Sequence, residues 1–208
     1  MAYTILKKAL IGALALSASS AAFAADEKKP LMTGASASML ANTCAGCHGT
    51  GGASAGPATP SISGISGVYF EETMQGYKSG EIVSTIMGRI AQGYTDEEIK
   101  LMADYYTAKP FVSAKQPFDA DKVKEGAKLH DKYCEKCHAE GGTEKEDDSG
   151  ILAGQLVPYL RNTLADYRAG DREMTKKMKK KVNALLKKEG DAGVDALMNF
   201  YASHASKQ

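Results

Sequence analysis

Two stretches hold the side chains best suited to chemistry, Cys44-Ala45-Gly46-Cys47-His48 and Cys134-Glu135-Lys136-Cys137-His138, and between them they use all 4 cysteines. C-x-x-C-H is the attachment signature of a c-type haem. Two thiols three residues apart at a helix start both reach the vinyl groups along one edge of the ring. The adjacent imidazole then points at the iron from below. Each stretch would therefore tether a cofactor covalently and supply one axial ligand. Two covalently bound haem c groups are expected, one on Cys44 and Cys47 with His48, the other on Cys134 and Cys137 with His138. Other uses of four thiols fit less well. Structural zinc sites rarely place His directly after the second Cys of both knuckles. A thioredoxin-like C-x-x-C wants a βαβ context. A pair of disulfides leaves both histidines unexplained.

A six-coordinate electron-transfer haem needs a second ligand, and Met there raises the potential. In the first half Met87 stands between the Gly80 turn and the closing helix, at the right place for that ligand. Met39, Met74 and Met102 read as core, the usual fate of Met. In the second half the repeat register points to position 177, beside Met178, with Met174 as the rival. Met178 is preferred because it needs a one-residue insertion, whereas Met174 needs a three-residue deletion. The remaining histidines, His130 and His204, read as surface residues, which argues against bis-His ligation.

These residues need elements to hold them, and the elements repeat. At an offset of 90, Cys44, Cys47 and His48 fall on Cys134, Cys137 and His138. The same offset carries Gly64 onto Gly154, Tyr69 onto Tyr159, Tyr77 onto Tyr167 and Gly80 onto Gly170. Register held over that span means a duplicated fold. In each half a helix delivers the motif (residues 36–43 and 120–133), and a Gly/Ser/Pro-rich loop follows. A middle helix comes next, over 68–77 and 158–167, with Pro158 suited to a first turn. The closing helices are expected from the capping box at Thr95 to about Ala108, and over 190–203. Phe200 and Tyr201 then answer Tyr105 and Tyr106. The acidic run 144–148 and the lysines around Met178 read as solvated faces. Pro110 and Pro117 interrupt helix between the halves. The expected domains are residues 26–112 and 120–208, joined by a link at 113–119 too short for a flexible tether, so the halves should pack together. No stretch alternates with period 2 long enough to make a strand, and the fold class is all-α.

Composition bounds the remaining options. Lys7 and Lys8 precede a short apolar run, and Ala22-Phe23-Ala24 gives a small-x-small cleavage pattern, so residues 1–24 are expected to be an export signal. No later stretch approaches the ~20 apolar residues of a membrane span. An exported, periplasmic protein suits covalent haem. The net charge is +1, but 16 acidic and 18 basic residues lie from 113 onward, against 9 acidic and 6 basic in 26–112. The basic run lacks interleaved aromatics, which excludes a nucleic-acid role.

With repeats and ligands placed, the sequence resembles the dihaem cytochrome subunits of flavocytochrome c sulfide dehydrogenases. The likeness rests on Cys44-Ala45-Gly46-Cys47-His48-Gly49-Thr50, Tyr77-Lys78-Ser79-Gly80-Glu81-Ile82 and Thr85-Ile86-Met87-Gly88-Arg89-Ile90-Ala91. It continues through Gly126-Ala127-Lys128-Leu129-His130-Asp131-Lys132-Tyr133-Cys134-Glu135-Lys136-Cys137-His138 and Gly190-Asp191-Ala192-Gly193. The resemblance implies two tandem class I cytochrome c-like domains related by internal duplication. It also implies a separate FAD-bearing flavoprotein subunit that oxidises sulfide, and a small soluble cytochrome c as electron acceptor. The chain itself has no G-x-G-x-x-G fingerprint, so flavin is expected only on the partner.

The expected function is a non-catalytic electron-transfer subunit, with no catalytic residue in this chain. The alternative is a free-standing dihaem cytochrome serving a respiratory or photosynthetic chain, favoured by a strongly charged surface around a haem edge. A third reading, a dihaem peroxidase or thiosulfate-oxidising enzyme, needs an open iron or an unusual ligand. Met87 and the lack of a spare cysteine speak against it.

Overall fold

The computed structural model describes residues 34–145 and 149–204. The expected export signal and part of the acidic run lie outside the described residues. Among the described residues every regular element is helical, with a lone bridge residue at Ser149. The first half contains α1 (Ala37–Asn42), α2 (Ala45–His48), α3 (Gly67–Ser79), α4 (Met87–Ala91) and α5 (Asp96–Thr107). The second contains α6 (Ala120–Tyr133), α7 (Ala139–Gly142), α8 (Val157–Ala169) and α9 (Lys176–Ala202).

Local chemistry sets most boundaries. Ser36 caps α1 by accepting the Met39 N–H, and Ser66 caps α3 by accepting that of Tyr69. Thr95 and Glu98 form the expected capping box of α5, with Glu98 Oε2 accepting the Thr95 N–H at 2.9 Å. Pro158 sits in the first turn of α8. Both middle helices end on a left-handed glycine, Gly80 at φ 85° and Gly170 at φ 87°. The long α9 is interrupted at Gly190, where φ is 62° and ψ −157°. Its last part therefore answers α5, and the stretch before the break extends what is only a short helix, α4, in the first half.

Hydrogen bonds restate the repeat. Gly52 O accepts from Ile62 and Ser63, and Gly142 O accepts from Leu152 and Ala153. Gly64 N–H donates to Tyr106 O and Gly154 N–H to Tyr201 O, which pairs the closing helices as Tyr106 with Tyr201. Each half has its own core. The first is built on Leu40, Phe70, Met74, Ile99, Met102 and Tyr106, and Ile151 from the second half joins it. The second is built on Leu129, Tyr133, Leu160, Leu185, Leu197 and Tyr201. The two are held together by Gln155, which bonds the Ser61 backbone, and by Arg172, which reaches Tyr69 Oη.

Two expectations are corrected. Met39 is 60% exposed and is not core, because Leu40 and Ala41 take the inward face of α1. His130 is fully buried and is not a surface residue. It lies on the inward stripe of α6 with Gly126, Leu129 and Tyr133, whose helical spacing marks that face.

Candidate functional site

The two C-x-x-C-H stretches form matching turns. Cys47 and His48 both donate backbone N–H groups to Cys44 O, at 3.2 and 2.9 Å. Cys137 and His138 do the same to Cys134 O, at 3.1 and 3.0 Å. The first cysteine of each pair is half-buried against its core and the second is exposed, and no two cysteines are bonded to each other. Burial pushes the Cys44 and Cys134 thiols up. That environment disfavours a thiolate and suits an uncharged thioether.

The histidines are oriented by the loop that follows. His48 Nδ1 lies 2.8 Å from Pro60 O, and His138 Nδ1 lies 3.2 Å from Gly150 O. A carbonyl only accepts, so Nδ1 carries the proton in both rings and Nε2 carries the lone pair. Burial lowers the His48 pKa and keeps that ring neutral. A neutral imidazole held by Nδ1–H to a backbone carbonyl is the form that ligates a metal through Nε2. The donor set therefore fits covalent haem at both sites. Among the described residues no group of three or more His, Cys, Asp or Glu side chains is arranged to hold a metal ion.

The methionines divide. Met87 is the first residue of α4 and packs, half-buried, against the same core as Cys44. Met178 is half-buried in the first turn of α9, where its N–H donates to Thr175 Oγ1. Met174 is also half-buried but lies before that cap. Neither is among the side chains packed on the second core. Met178 thus shares with Met87 a place in the first turn of the helix that follows the left-handed glycine.

Sequence reasoning missed a buried polar group beside the second motif. His130 Nε2 lies 2.7 Å from Glu135 Oε2, and its Nδ1 lies 3.0 Å from Tyr201 Oη. Glu135, the first spacer residue of the motif, also accepts N–H bonds from Glu140 and Gly141, and these backbone donors hold its carboxyl below the ordinary range. The first half puts Leu40 where His130 stands, and there Tyr106 Oη donates to Ala41 O at 2.7 Å.

The surfaces around the methionines differ. Val83, Ile86 and Ile90 are exposed around Met87. Lys176, Lys177, Lys179, Lys180 and Lys181 are exposed around Met178. No described helix is long and apolar enough to cross a membrane.

Comparisons with known proteins agree with this geometry. The cytochrome c family profile matches residues 34–106. The cytochrome subunit of sulfide dehydrogenase from Chlorobaculum tepidum is 44% identical over 78 residues, which are 38% of this chain and 69% of that protein. That relative is accordingly little more than half as long as this chain. Among solved structures, cytochrome c4 of Acidithiobacillus ferrooxidans is similar with a TM-score of 0.67 and 24% identity, covering 78% of this chain and 99% of its own. Cytochrome c4 of Pseudomonas stutzeri gives the same score and identity over 81% of this chain and 98% of its own. Thiosulfate dehydrogenase of Marichromatium purpuratum aligns with a TM-score of 0.63 at 23% identity, over 77% of this chain but 36% of its own. These structures carry the fold, two tandem class I cytochrome c domains. A cytochrome c binds its haem covalently, and the two cysteine pairs here fit a dihaem protein. The chain belongs to the cytochrome c family, together with the cytochrome subunit of sulfide dehydrogenase.

Proposed function

We propose that this chain is a periplasmic electron-transfer subunit that takes electrons from an FAD-containing sulfide dehydrogenase subunit and passes them to a small soluble cytochrome c. Domain 1 is taken as residues 26–112 and domain 2 as 120–208, with residues 1–24 removed on export. Cys44 and Cys47 hold the first haem and Cys134 and Cys137 the second. His48 and Met87 would hold the first iron, and His138 and Met178 the second. Bound haem supplies a one-electron carrier in each domain, and the chain's residues set its position and potential.

The observation that carries this reading is the pair of histidines whose Nδ1 atoms face backbone carbonyls, 2.8 Å from Pro60 O and 3.2 Å from Gly150 O. The surface contrast supports direction. An apolar rim of Val83, Ile86 and Ile90 suits a stable flavoprotein partner at domain 1. The lysines around Met178 suit transient steering of an acidic carrier at domain 2. The lysine rim equally favours a second reading, a free-standing dihaem cytochrome of a respiratory or photosynthetic chain.

Absorption spectroscopy of the exported protein tests the assignment through the weak near-infrared band of Met-ligated ferric haem. Wild type should show two such haems. Met87→Ala and Met178→Ala should each lose one, while Met174→Ala keeps both. An open or high-spin haem in wild type would overturn the electron-carrier reading for that domain. A one-to-one complex with a flavoprotein separates the subunit from the free carrier.

A further inference from the structure

The first part of α9, residues 176–189, carries seven lysines, all exposed, and one acid, Glu189. Glu189 is half-buried against α6, where it meets Lys132 Nζ at 3.2 Å and Tyr133 Oη at 3.1 Å. The apolar side of this segment is already used by the chain, since Leu185 is buried and Ala184 and Leu186 pack on the second core. The opposite side is lysine. At about 100° per residue, Lys176, Lys180 and Lys187 fall within about 40° of one another, on the ridge farthest from Leu185. Seven lysines and one acid leave a net charge of +6, which the four carboxylates of the run 144–148 are too few to balance.

Neither the duplicated fold nor local stability asks for this charge. In the first half the same place is a helix of only 5 residues, α4, with Arg89 as its one cation. The first turn of α9 holds no acid, and lysines there oppose the positive end of the helix dipole. Like charges four residues apart add repulsion. The lysine face also lacks what a protein partner grips. Between 176 and 189 there is no Arg and no aromatic residue, the types enriched in protein interfaces, whereas Lys is depleted there. Lysines spread over the polar side of an amphipathic helix match a plane of anionic headgroups, which asks for dense charge and no fixed pattern of donors.

We propose that the outward face of residues 176–188 docks this protein on an anionic phospholipid surface. The contact is peripheral and electrostatic, since no described helix is long and apolar enough to cross a membrane. It goes beyond the electron-carrier reading and does not depend on it. Met178 lies on the same segment, so bilayer and acidic carrier use one face in turn, and binding to lipid withholds the second haem from the carrier.

Co-sedimentation of the full-length, haem-loaded protein with lipid vesicles tests it, with haem absorbance reporting the bound fraction. Wild type should bind phosphatidylcholine vesicles containing about 30 mol% phosphatidylglycerol, ignore pure phosphatidylcholine, and let go as salt rises. Lys176→Gln, Lys180→Gln and Lys187→Gln together should weaken binding at least about tenfold. Lys100→Gln, Lys124→Gln and Lys128→Gln, also exposed and equal in charge removed, should leave it unaltered. Without any variant, the anionic vesicles should protect Lys176, Lys180 and Lys187 of wild type from acetylation, read by mass spectrometry. No binding to those vesicles, equal loss in the two triple variants, or acetylation indifferent to vesicles would overturn the proposal. So would a vesicle-bound protein that reduces an acidic cytochrome c as fast as the free one. A helix variant that binds vesicles like wild type yet reacts slowly with that cytochrome would assign the lysines to a protein partner instead. Vesicle binding needs no electron transfer, so failure of the electron-carrier reading leaves it standing, and its own failure leaves that reading untouched.

Discussion

Gln155 and Ser61 clasp the two domains by a double hydrogen bond: the Ser61 N–H donates to Gln155 Oε1 at 2.9 Å, and Gln155 Nε2 donates to Ser61 O at 2.9 Å. Both residues are almost fully buried, so one side-chain amide satisfies a backbone donor and a backbone acceptor of the other domain. Ser61 directly follows Pro60, whose carbonyl orients His48. The contact therefore ties the first histidine loop to the second domain. Replacing Gln155 by Leu leaves both Ser61 groups without partners, at about 1–3 kcal/mol each. Thermal unfolding of the haem-loaded variant should begin earlier and split into two transitions as the domains uncouple. A single transition at the wild-type midpoint would refute the clasp.

The buried His130 makes a second expectation. His130→Leu copies Leu40 of the first half but strands Tyr201 Oη and removes a partner of Glu135. Stability should fall by about 1–3 kcal/mol with haem attachment retained. Denaturant unfolding measures it, and a variant as stable as wild type would mean the group is dispensable.

Glu135 adds a pH signature. Its folded carboxyl lies below the ordinary 4.5, so its contribution is fully present above that value and is lost as pH falls through the folded pKa. Wild type should lose stability on acidification below about pH 4.5, the value of the unfolded group, more steeply than Glu135→Gln. Parallel stability curves for the two proteins in that range would contradict this.

Gly126 marks the tightest crossing of α6 on α9. A Cβ there would stand 2.2 Å from Ala196 O and 2.6 Å from Phe200 Cβ. Gly126→Ala should force the helices apart and cost about 1–3 kcal/mol. Because α6 delivers the second motif, the yield of protein carrying two haems should fall as well. Haem-to-protein ratio and melting temperature together check this.

The lysine rim around Met178 predicts a salt effect. Electron transfer to an acidic small cytochrome c should slow as ionic strength rises, because screening shortens the reach of exposed charge. Lys177→Glu with Lys180→Glu should reduce both the rate and its salt dependence, as followed by stopped-flow absorbance. A rate indifferent to salt would point to an apolar contact instead.

Much of the site is local and was legible in the sequence. Five consecutive residues define each C-x-x-C-H turn, so the proposed attachment residues Cys44, Cys47 and His48 and their copies can be named without tertiary information. The Thr95 box, the Pro158 start and the left-handed glycines are also set within a few residues, and the 90-residue repeat revealed two domains. What the fold decided depends on residues distant in sequence. Gln155 occupies the repeat position of Ile65 and gave no hint of a partner 94 residues away. His130 read as a surface residue because an isolated histidine looks polar. Only the packing of α6 on α9 supplies Tyr201 and makes burial affordable. Local covalent geometry dictates where the proposed haems would attach. Burial and hydrogen bonding between elements, which no short window contains, dictate how the two domains pack on one another.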